Sequence, residues 1–220
     1  AQRIYNVVDY GAVGNKIVDD AKAIQQAIDE CSANGGGTVL LPANHTFMSG
    51  PLCLKSNVNL HLEATAVLLA NPDEGIYKLS AFGENRGEGM MWIYANGADN
   101  ISITGKGTIH GNGIAFMGKE LDDSYELKPV TTFDPRPHVL TLTDVKNLTI
   151  RDITIRDGAY WTVHLIGCDG AVIDGISLLN NLKIRNGDGI DLDHSRNVRI
   201  SNCHITSGDD CICLKNRREF

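Results

Sequence analysis

Two short stretches near the end of the chain hold the residues best suited to chemistry. The first reads Asn186-Gly187-Asp188-Gly189-Ile190-Asp191-Leu192-Asp193; the second reads Ser207-Gly208-Asp209-Asp210-Cys211-Ile212-Cys213-Leu214-Lys215. Ile190 and Leu192 recur as Ile212 and Leu214 after 22 residues, and Asp188 recurs as Asp210 at the same offset. If the two stretches are neighbouring turns of a solenoid, Asp188 and Asp210 occupy equivalent places with Asp209 beside them. Three carboxylates then crowd one spot. Like charges at close range raise one another's pKa, which lets one carboxylic acid donate a proton while another remains a base. Turn chemistry is the plainer reading of a single Asp-Gly pair, but it does not account for three acids in register.

The elements that must position these acids are visible as a repeat. Asn57 to Leu62, Asn100 to Ile103, Asn147 to Ile155, Gly170 to Leu178 and Asn197 to Ile205 each start on a turn residue and then alternate apolar with polar. The last three begin 23 and 27 residues apart, the size of one coil of a parallel β-helix. The register makes Cys203 equivalent to Ile153 and Ile176, so it reads as a core thiol. A second strand per coil runs through Val163/Leu165, Ile190/Leu192 and Ile212/Leu214. Alternation turns Ile190 and Leu192 inward and Asp191 outward, with His164 one coil earlier at the matching position and Tyr160 and Trp161 just before it. One face therefore lines up an aromatic, a histidine and a carboxylate cluster, the shape of a groove for an extended polymer. The same alternation turns Asp188 and Asp210 inward, which the cost of burying unpaired carboxylates argues against at these glycine-broken strand starts.

Upstream, residues 5–14 read as a short strand and a glycine turn. Asp19 and Asp20 are placed to cap a helix through about Cys31, with Ala23, Ile24, Ala27 and Ile28 at helical spacing. The run Asn34-Gly35-Gly36-Gly37 ends that helix. It is not a phosphate loop, because the glycines follow the helix and no Gly-Lys-Ser/Thr is present. The segment from about 110 to 136 interrupts the repeat and reads either as a wall of the groove or as a solvated loop. The domain plan is a single β-helix over 1–220, with an N-terminal cap at about 1–40 and coils from about 41 to 215.

Composition sets the outer bounds. The chain has 220 residues, enough for one domain with a full core. Its 20 basic against 27 acidic residues give a net charge of −7, a poor match for nucleic acid, and the scattered charges exclude an acidic tail. No apolar run is long enough to span a membrane. The six cysteines lack paired Cys-x-x-Cys zinc spacing and are read as free or partly paired. The start at Ala1-Gln2-Arg3 fits an exported form without its leader, or a trimmed chain. Asn44, Asn100 and Asn147 each begin an Asn-x-Ser/Thr triplet, the latter two at repeated turn positions. His45, His61, His110, His138, His194 and His204 are read as surface or turn residues, and no metal is assigned.

The motifs Asn186-Gly187-Asp188-Gly189-Ile190-Asp191 and Gly208-Asp209-Asp210 resemble the paired signature of the family 28 glycoside hydrolases, the polygalacturonases and related pectinases. Tyr5 to Ala12, Gly35 to Pro42, Arg136-Pro137 and Tyr160-Trp161-Thr162-Val163-His164 match the same pattern. Gly187 departs from it, standing where many members carry threonine or cysteine, and is expected to loosen the site slightly. The resemblance implies an all-β, right-handed, single-stranded parallel β-helix of the pectin-lyase type with a short N-terminal capping helix. It implies a secreted or periplasmic enzyme, monomeric at full length and free of cofactors, that hydrolyses galacturonan-type pectin with inversion. Asp209 becomes the general acid, while Asp188 and Asp210 position and deprotonate the water. Asn186, His164, Trp161, Lys215 and Asp191 become the substrate-binding set. Inversion calls for roughly 6.5 to 9.5 Å between acid and base; carboxylates one coil apart lie near the lower limit, so spacing alone leaves the stereochemistry open. The alternatives are a calcium-dependent pectate lyase and a non-catalytic polysaccharide-binding β-helix.

The family's later Gly-His-Gly and Arg-Ile-Lys motifs are absent from these residues. The expectation is an N-terminal portion of a longer enzyme, nearly inactive by itself and with a sticky lower edge. Robust hydrolysis of polygalacturonate by the 220-residue polypeptide overturns that expectation.

Overall fold

The computed structural model describes residues 2–83, 88–130 and 135–216. Short strands wind into three parallel sheets, two of seven strands and one of six, in which each strand pairs with its equivalent one coil away. This is the right-handed parallel β-helix expected from the repeat. The 23- and 27-residue offsets become pairings: Leu148 stacks on Ala171 and Ile150 on Ile173, and Ala171 stacks on Val198 and Ile173 on Ile200. Thr154 pairs with Ser177 and Ser177 with His204, which brings Ile153, Ile176 and Cys203 into one column as the register requires. Their alternate apolar side chains fill a continuous core of Val, Leu and Ile, the form in which a parallel sheet hides both faces.

The repeated turn residue has a conformational cause. Asn57, Asn100, Asn147 and Asn197 all have φ between 56° and 66°, and Gly36 and Gly170 take the same role at φ 102° and 80°. Asparagine and glycine tolerate this left-handed region at least cost. The amides also bond along the stack: Asn100 Nδ2 donates to Asn57 Oδ1 at 3.0 Å and Asn147 Nδ2 to Asn100 Oδ1 at 3.1 Å. The Asn100 and Asn147 triplets are thus explained by a structural ladder.

The helix spans Ala21–Ala33 and buries Ile24, Ala27, Ile28 and Cys31 against the first coils. Its cap departs from expectation. Asp19 Oδ1 accepts from Ala21 N at 2.8 Å, whereas both Asp20 oxygens point away from the helix to Val13 N (2.8 Å) and Gly14 N (3.0 Å), tying down the preceding loop. After the helix, Gly36 N bonds back to Cys31 O at 2.8 Å, the expected glycine C-cap. All six cysteines are free thiols. No helix among the described residues is long and apolar enough to cross a membrane.

Two excursions leave the coils. The expected one, after the strand Thr108–His110, holds an antiparallel hairpin of Met117–Glu120 and Leu127–Pro129. Leu127 N donates to Lys183 O at 2.8 Å and Lys183 pairs with Glu120, so the hairpin is docked against the coils. The other, between the strand Val67–Ala70 and the strand Met90–Asn96, carries Phe82 and was not marked by any motif. At the far end of the six-stranded sheet, Ile212 and Leu214 are 49% and 81% exposed.

Replacing Asn147 by alanine removes one ladder bond and puts a β-carbon into the left-handed region. The expected loss is about 1–2 kcal/mol, measured by chemical denaturation, with Asn147→Gly costing less.

Candidate active site

The acids lie on the outer face of the six-stranded sheet, and the backbone register decides which of them meet. Val163 pairs with Ile190 and His164 with Asp191; Ile190 pairs with Ile212 and Asp191 with Cys213. Leu140, Val163 and Ile190 point into the core, and Thr141, His164 and Asp191 point away from it. Simple alternation fails at the strand starts. Val139 and Leu140 are consecutive yet both belong to the core, which returns His138 to the outer face. The same step returns Trp161 and Asp188, one and two coils on. Asp188 therefore avoids the interior, as the cost of burying it demanded. Gly189 N donates to Asp210 O at 2.9 Å, setting Asp210 on the strand beside Asp188, and Asp209 lies next to it with its Oδ1 accepting from Asp210 N at 3.0 Å. Asp209 and Asp210 are exposed, whereas Asp188 is buried.

The strand start is tightly fixed. Asn180 Nδ2 donates to Gly187 O at 3.1 Å and to Thr162 Oγ1 at 2.7 Å, and Ser207 Oγ donates to Gly187 O at 2.6 Å. The loosening expected at Gly187 is offset by these bonds on its carbonyl. Gly189 has a separate reason to be glycine: a β-carbon there would sit 2.4 Å from Cys211 O. Arg136, also buried, donates from Nη1 to Ala159 O (3.0 Å) and Arg185 O (2.7 Å) and from Nη2 to Asn186 Oδ1 (3.1 Å). One guanidinium thus holds three coils just before His138, Trp161 and Asp188.

Beneath the exposed acids is a buried charged layer. Lys215 Nζ lies 3.3 Å from Asp188 Oδ2 and 3.4 Å from Asp191 Oδ1, and 4.4 Å from the centre of the Trp161 ring, within cation–π range. Burial works against the Lys215 charge, but Asp191 and Asp188 outweigh it and hold the ammonium well above the ordinary lysine range. Asp191 is fully buried. Desolvation, the neighbouring Asp188 and its hydrogen bond push its pKa up to about 9, with Lys215 acting in the opposite sense. One ammonium facing two buried carboxyls is thus balanced by a proton on Asp191. Asp193, fully buried as well, lies 3.3 Å from His164 Nε2 and 2.8 Å from His194 Nδ1.

Several expectations change here. His164 and Asp191 have no exposed surface, so they lie beneath the outer face of the sheet and not on it. Lys215 is engaged by the two carboxyls, and Asn186 gives its amide oxygen to Arg136. Trp161 is 7% exposed, because Phe82 packs on it at 5.5 Å. His138 is fully buried, not a surface residue; its ring stacks on Tyr160 at 4.8 Å and lies 5.4 Å from His164. Its position 23 residues before Trp161, the offset of one coil, was the signal that marked it. Asp193 carried a similar signal, two residues after Asp191 and so on the same face. Phe82 had none.

The sequence pattern of Glycosyl hydrolases family 28 matches residues 31–219. A probable polygalacturonase of Vitis vinifera is 31% identical over 96% of this chain and 44% of its own length. An exopolygalacturonase of Zea mays is 30% identical over 96% of this chain and 48% of its own. The solved structure of the family 28 exopolygalacturonase of Yersinia enterocolitica superposes with a TM-score of 0.83 at 27% identity, covering 97% of this chain and 45% of that one. The chain therefore spans less than half the length of these relatives.

The raised pKa of Asp191 fixes the sign of a stability test. The folded chain keeps a proton that the unfolded chain releases above the ordinary value of 3.8, so stability from this group falls as pH rises from about 4 to about 9 and then levels off. Asp191→Asn keeps a neutral head of the same shape. Thermal melts of the variant are expected to lose that decline and to exceed the parent at pH 8 by at least about 2 °C; a decline of unchanged slope contradicts the assignment.

Proposed function

This chain belongs to glycosyl hydrolases family 28, and from that premise we propose that it carries the catalytic carboxylates of an enzyme hydrolysing α-glycosidic bonds in galacturonan-type pectin with inversion. The observation that carries the reading is the pairing of two adjacent strand starts that set Asp188 and Asp210 side by side, with Asp209 exposed next to them. Asp209 protonates the glycosidic oxygen as the bond to the leaving sugar breaks. Water attacks the anomeric carbon from the opposite face, oriented and deprotonated by Asp188 and Asp210, and inverts its configuration. An acid with a solvent-facing carboxyl can reach a bond in a bound polymer; a buried one cannot. The exposed pair Asp209 and Asp210 meets that requirement.

The remaining site residues fall into a second role. Asn186, His164, Asp191 and Lys215 hold the floor of the groove, while the rim of Trp161 and the docked hairpin border it. The substrate is outside the cell that makes the enzyme, which places the protein in a secreted or periplasmic setting. The polysaccharide is its only partner in this reading, and neither a cofactor nor a metal enters the chemistry.

Asp209→Asn is the direct test. In the full-length enzyme, turnover of oligogalacturonate is expected to fall by about 100-fold or more, with binding of the oligosaccharide retained by calorimetry. Loss of binding together with turnover points to a carbohydrate-binding module instead, and an unsaturated product from the unsubstituted enzyme points to a lyase.

A further inference from the structure

Three Asn-x-Ser/Thr triplets lie in the chain: Asn44-His45-Thr46, Asn100-Ile101-Ser102 and Asn147-Leu148-Thr149. Such a triplet is the acceptor for an N-linked glycan on an exported protein. By sequence the first and third, both ending in threonine with no proline between, are equal. Exposure does not separate them either. All three asparagines are exposed and all take the left-handed backbone, with φ of 63°, 58° and 58°. The amide nitrogen does separate them. Asn100 Nδ2 is committed to Asn57 Oδ1 at 3.0 Å, and Asn147 Nδ2 to Asn100 Oδ1 at 3.1 Å, so each is a rung between strands about 4.8 Å apart. A sugar on either nitrogen takes the place of a proton on an amide that joins two coils, and it has to fit against the neighbouring rung.

Asn44 is held differently. It lies outside the ladder, in the turn between the strand Gly37–Leu41 and the strand Thr46–Ser49. Because Thr46 pairs with Val67, the residue stacked one coil on is Thr65. Asn44 N donates to Thr65 Oγ1 at 2.8 Å, and that hydroxyl donates in turn to Asn44 Oδ1 at 3.0 Å. The amide is thus held by its oxygen, and among the described residues its Nδ2 makes no hydrogen bond. The middle residue braces the turn: His45 Nδ1 lies 2.8 Å from Ala43 O and its ring stacks on Phe47 at 5.3 Å. Chain is present on both sides along the stack, with Thr46 N donating to Gly14 O at 3.1 Å before it and Thr65 after it. The two flanking strands belong to the two seven-stranded sheets, so this corner faces away from the six-stranded sheet and its acids.

We propose that Asn44 is the acceptor of an N-linked glycan and that Asn100 and Asn147 are not. In the step, Asn44 Nδ2 forms a bond to the anomeric carbon of the first N-acetylglucosamine of a lipid-diphosphate oligosaccharide. The bond from that carbon to the diphosphate oxygen breaks, its electron pair leaves with the diphosphate, and the nitrogen gives up one proton. Oδ1 keeps its bond to Thr65, so the folded turn carries the glycan without losing a hydrogen bond. The inference rests only on the exported setting of the hydrolase reading and is independent of the chemistry of the acids.

The test is to secrete the full-length enzyme from yeast, release its N-glycans with peptide N-glycosidase in water enriched in the heavy oxygen isotope, and map the label by mass spectrometry. The label is expected at Asn44 and at neither Asn100 nor Asn147 in the soluble, folded protein. An unlabelled Asn44 overturns the proposal, and so does label at either ladder asparagine. Asn44→Gln and, independently, Thr46→Ala are each expected to lose the mass of one glycan, and retention of that mass in either variant contradicts the assignment. If a variant is not secreted, the map of the unsubstituted enzyme decides alone. The Asn44 glycan is expected to be released without denaturant, since its turn is exposed; release only after unfolding counts against the site. Turnover of galacturonan is read separately. An active enzyme without label at Asn44 fails this inference alone, whereas a labelled enzyme that cleaves no galacturonan fails the hydrolase reading alone.

Discussion

Each coil of this protein must bond its backbone to the coil before and the coil after, and the resulting register governs nearly everything else in the molecule. Parallel strands set equivalent residues about 4.8 Å apart, so a side chain is always stacked on its counterparts. In the core that produces columns of Ile, Leu and Val. At the turns it produces the asparagine ladder, in which a left-handed backbone and an inter-coil amide bond are satisfied by the same residue. On the outer face of the six-stranded sheet it produces His138, Trp161, Asp188 and Asp210 in one column and Thr141, His164 and Asp191 in the next.

The second constraint is charge. Asp188, Asp191 and Asp193 are all buried, a concentration of acid that an uncompensated protein interior does not tolerate. Lys215 reaches the first two, a proton neutralises Asp191, and His164 and His194 approach the third. Lys215 is the last residue of the strand Ile212–Lys215, which begins two residues after Asp210. The coil that carries the exposed carboxylates therefore also carries the cation that makes their buried neighbours tolerable.

A third layer is aromatic. Phe82, Tyr160 and Trp161 form a small cluster separate from the main core, with His138 stacked between them and Arg136 over Tyr160 at 4.8 Å. The cluster meets the charged layer through Trp161, whose ring centre is 4.4 Å from Lys215 Nζ, and the hairpin is tied to the chain just before Asn186 through Lys183 and Arg185. Phe82, packed on Trp161, covers part of the outer face of the sheet. Arg136 bridges three coils by hydrogen bonds to carbonyls and to Asn186.

The coil, its register and the meeting of the acids are legible in the residues, because a one-coil repeat translates directly into contact. Offsets of 22, 23 and 27 residues were enough to pair His164 with Asp191 and Ile190 with Ile212. The resemblance of the paired aspartate motifs supplied a reaction for them. Exposure was not legible there. Period-two alternation tells core from outer face but cannot tell an outer face open to solvent from one roofed by an excursion, and Phe82 comes from a stretch without a repeat. Nor can it foresee that two consecutive residues, Val139 and Leu140, both enter the core and so reverse the facing of every strand start. These two facts take His164 and Asp191 out of solvent, with a half-buried Lys215 beside Asp191.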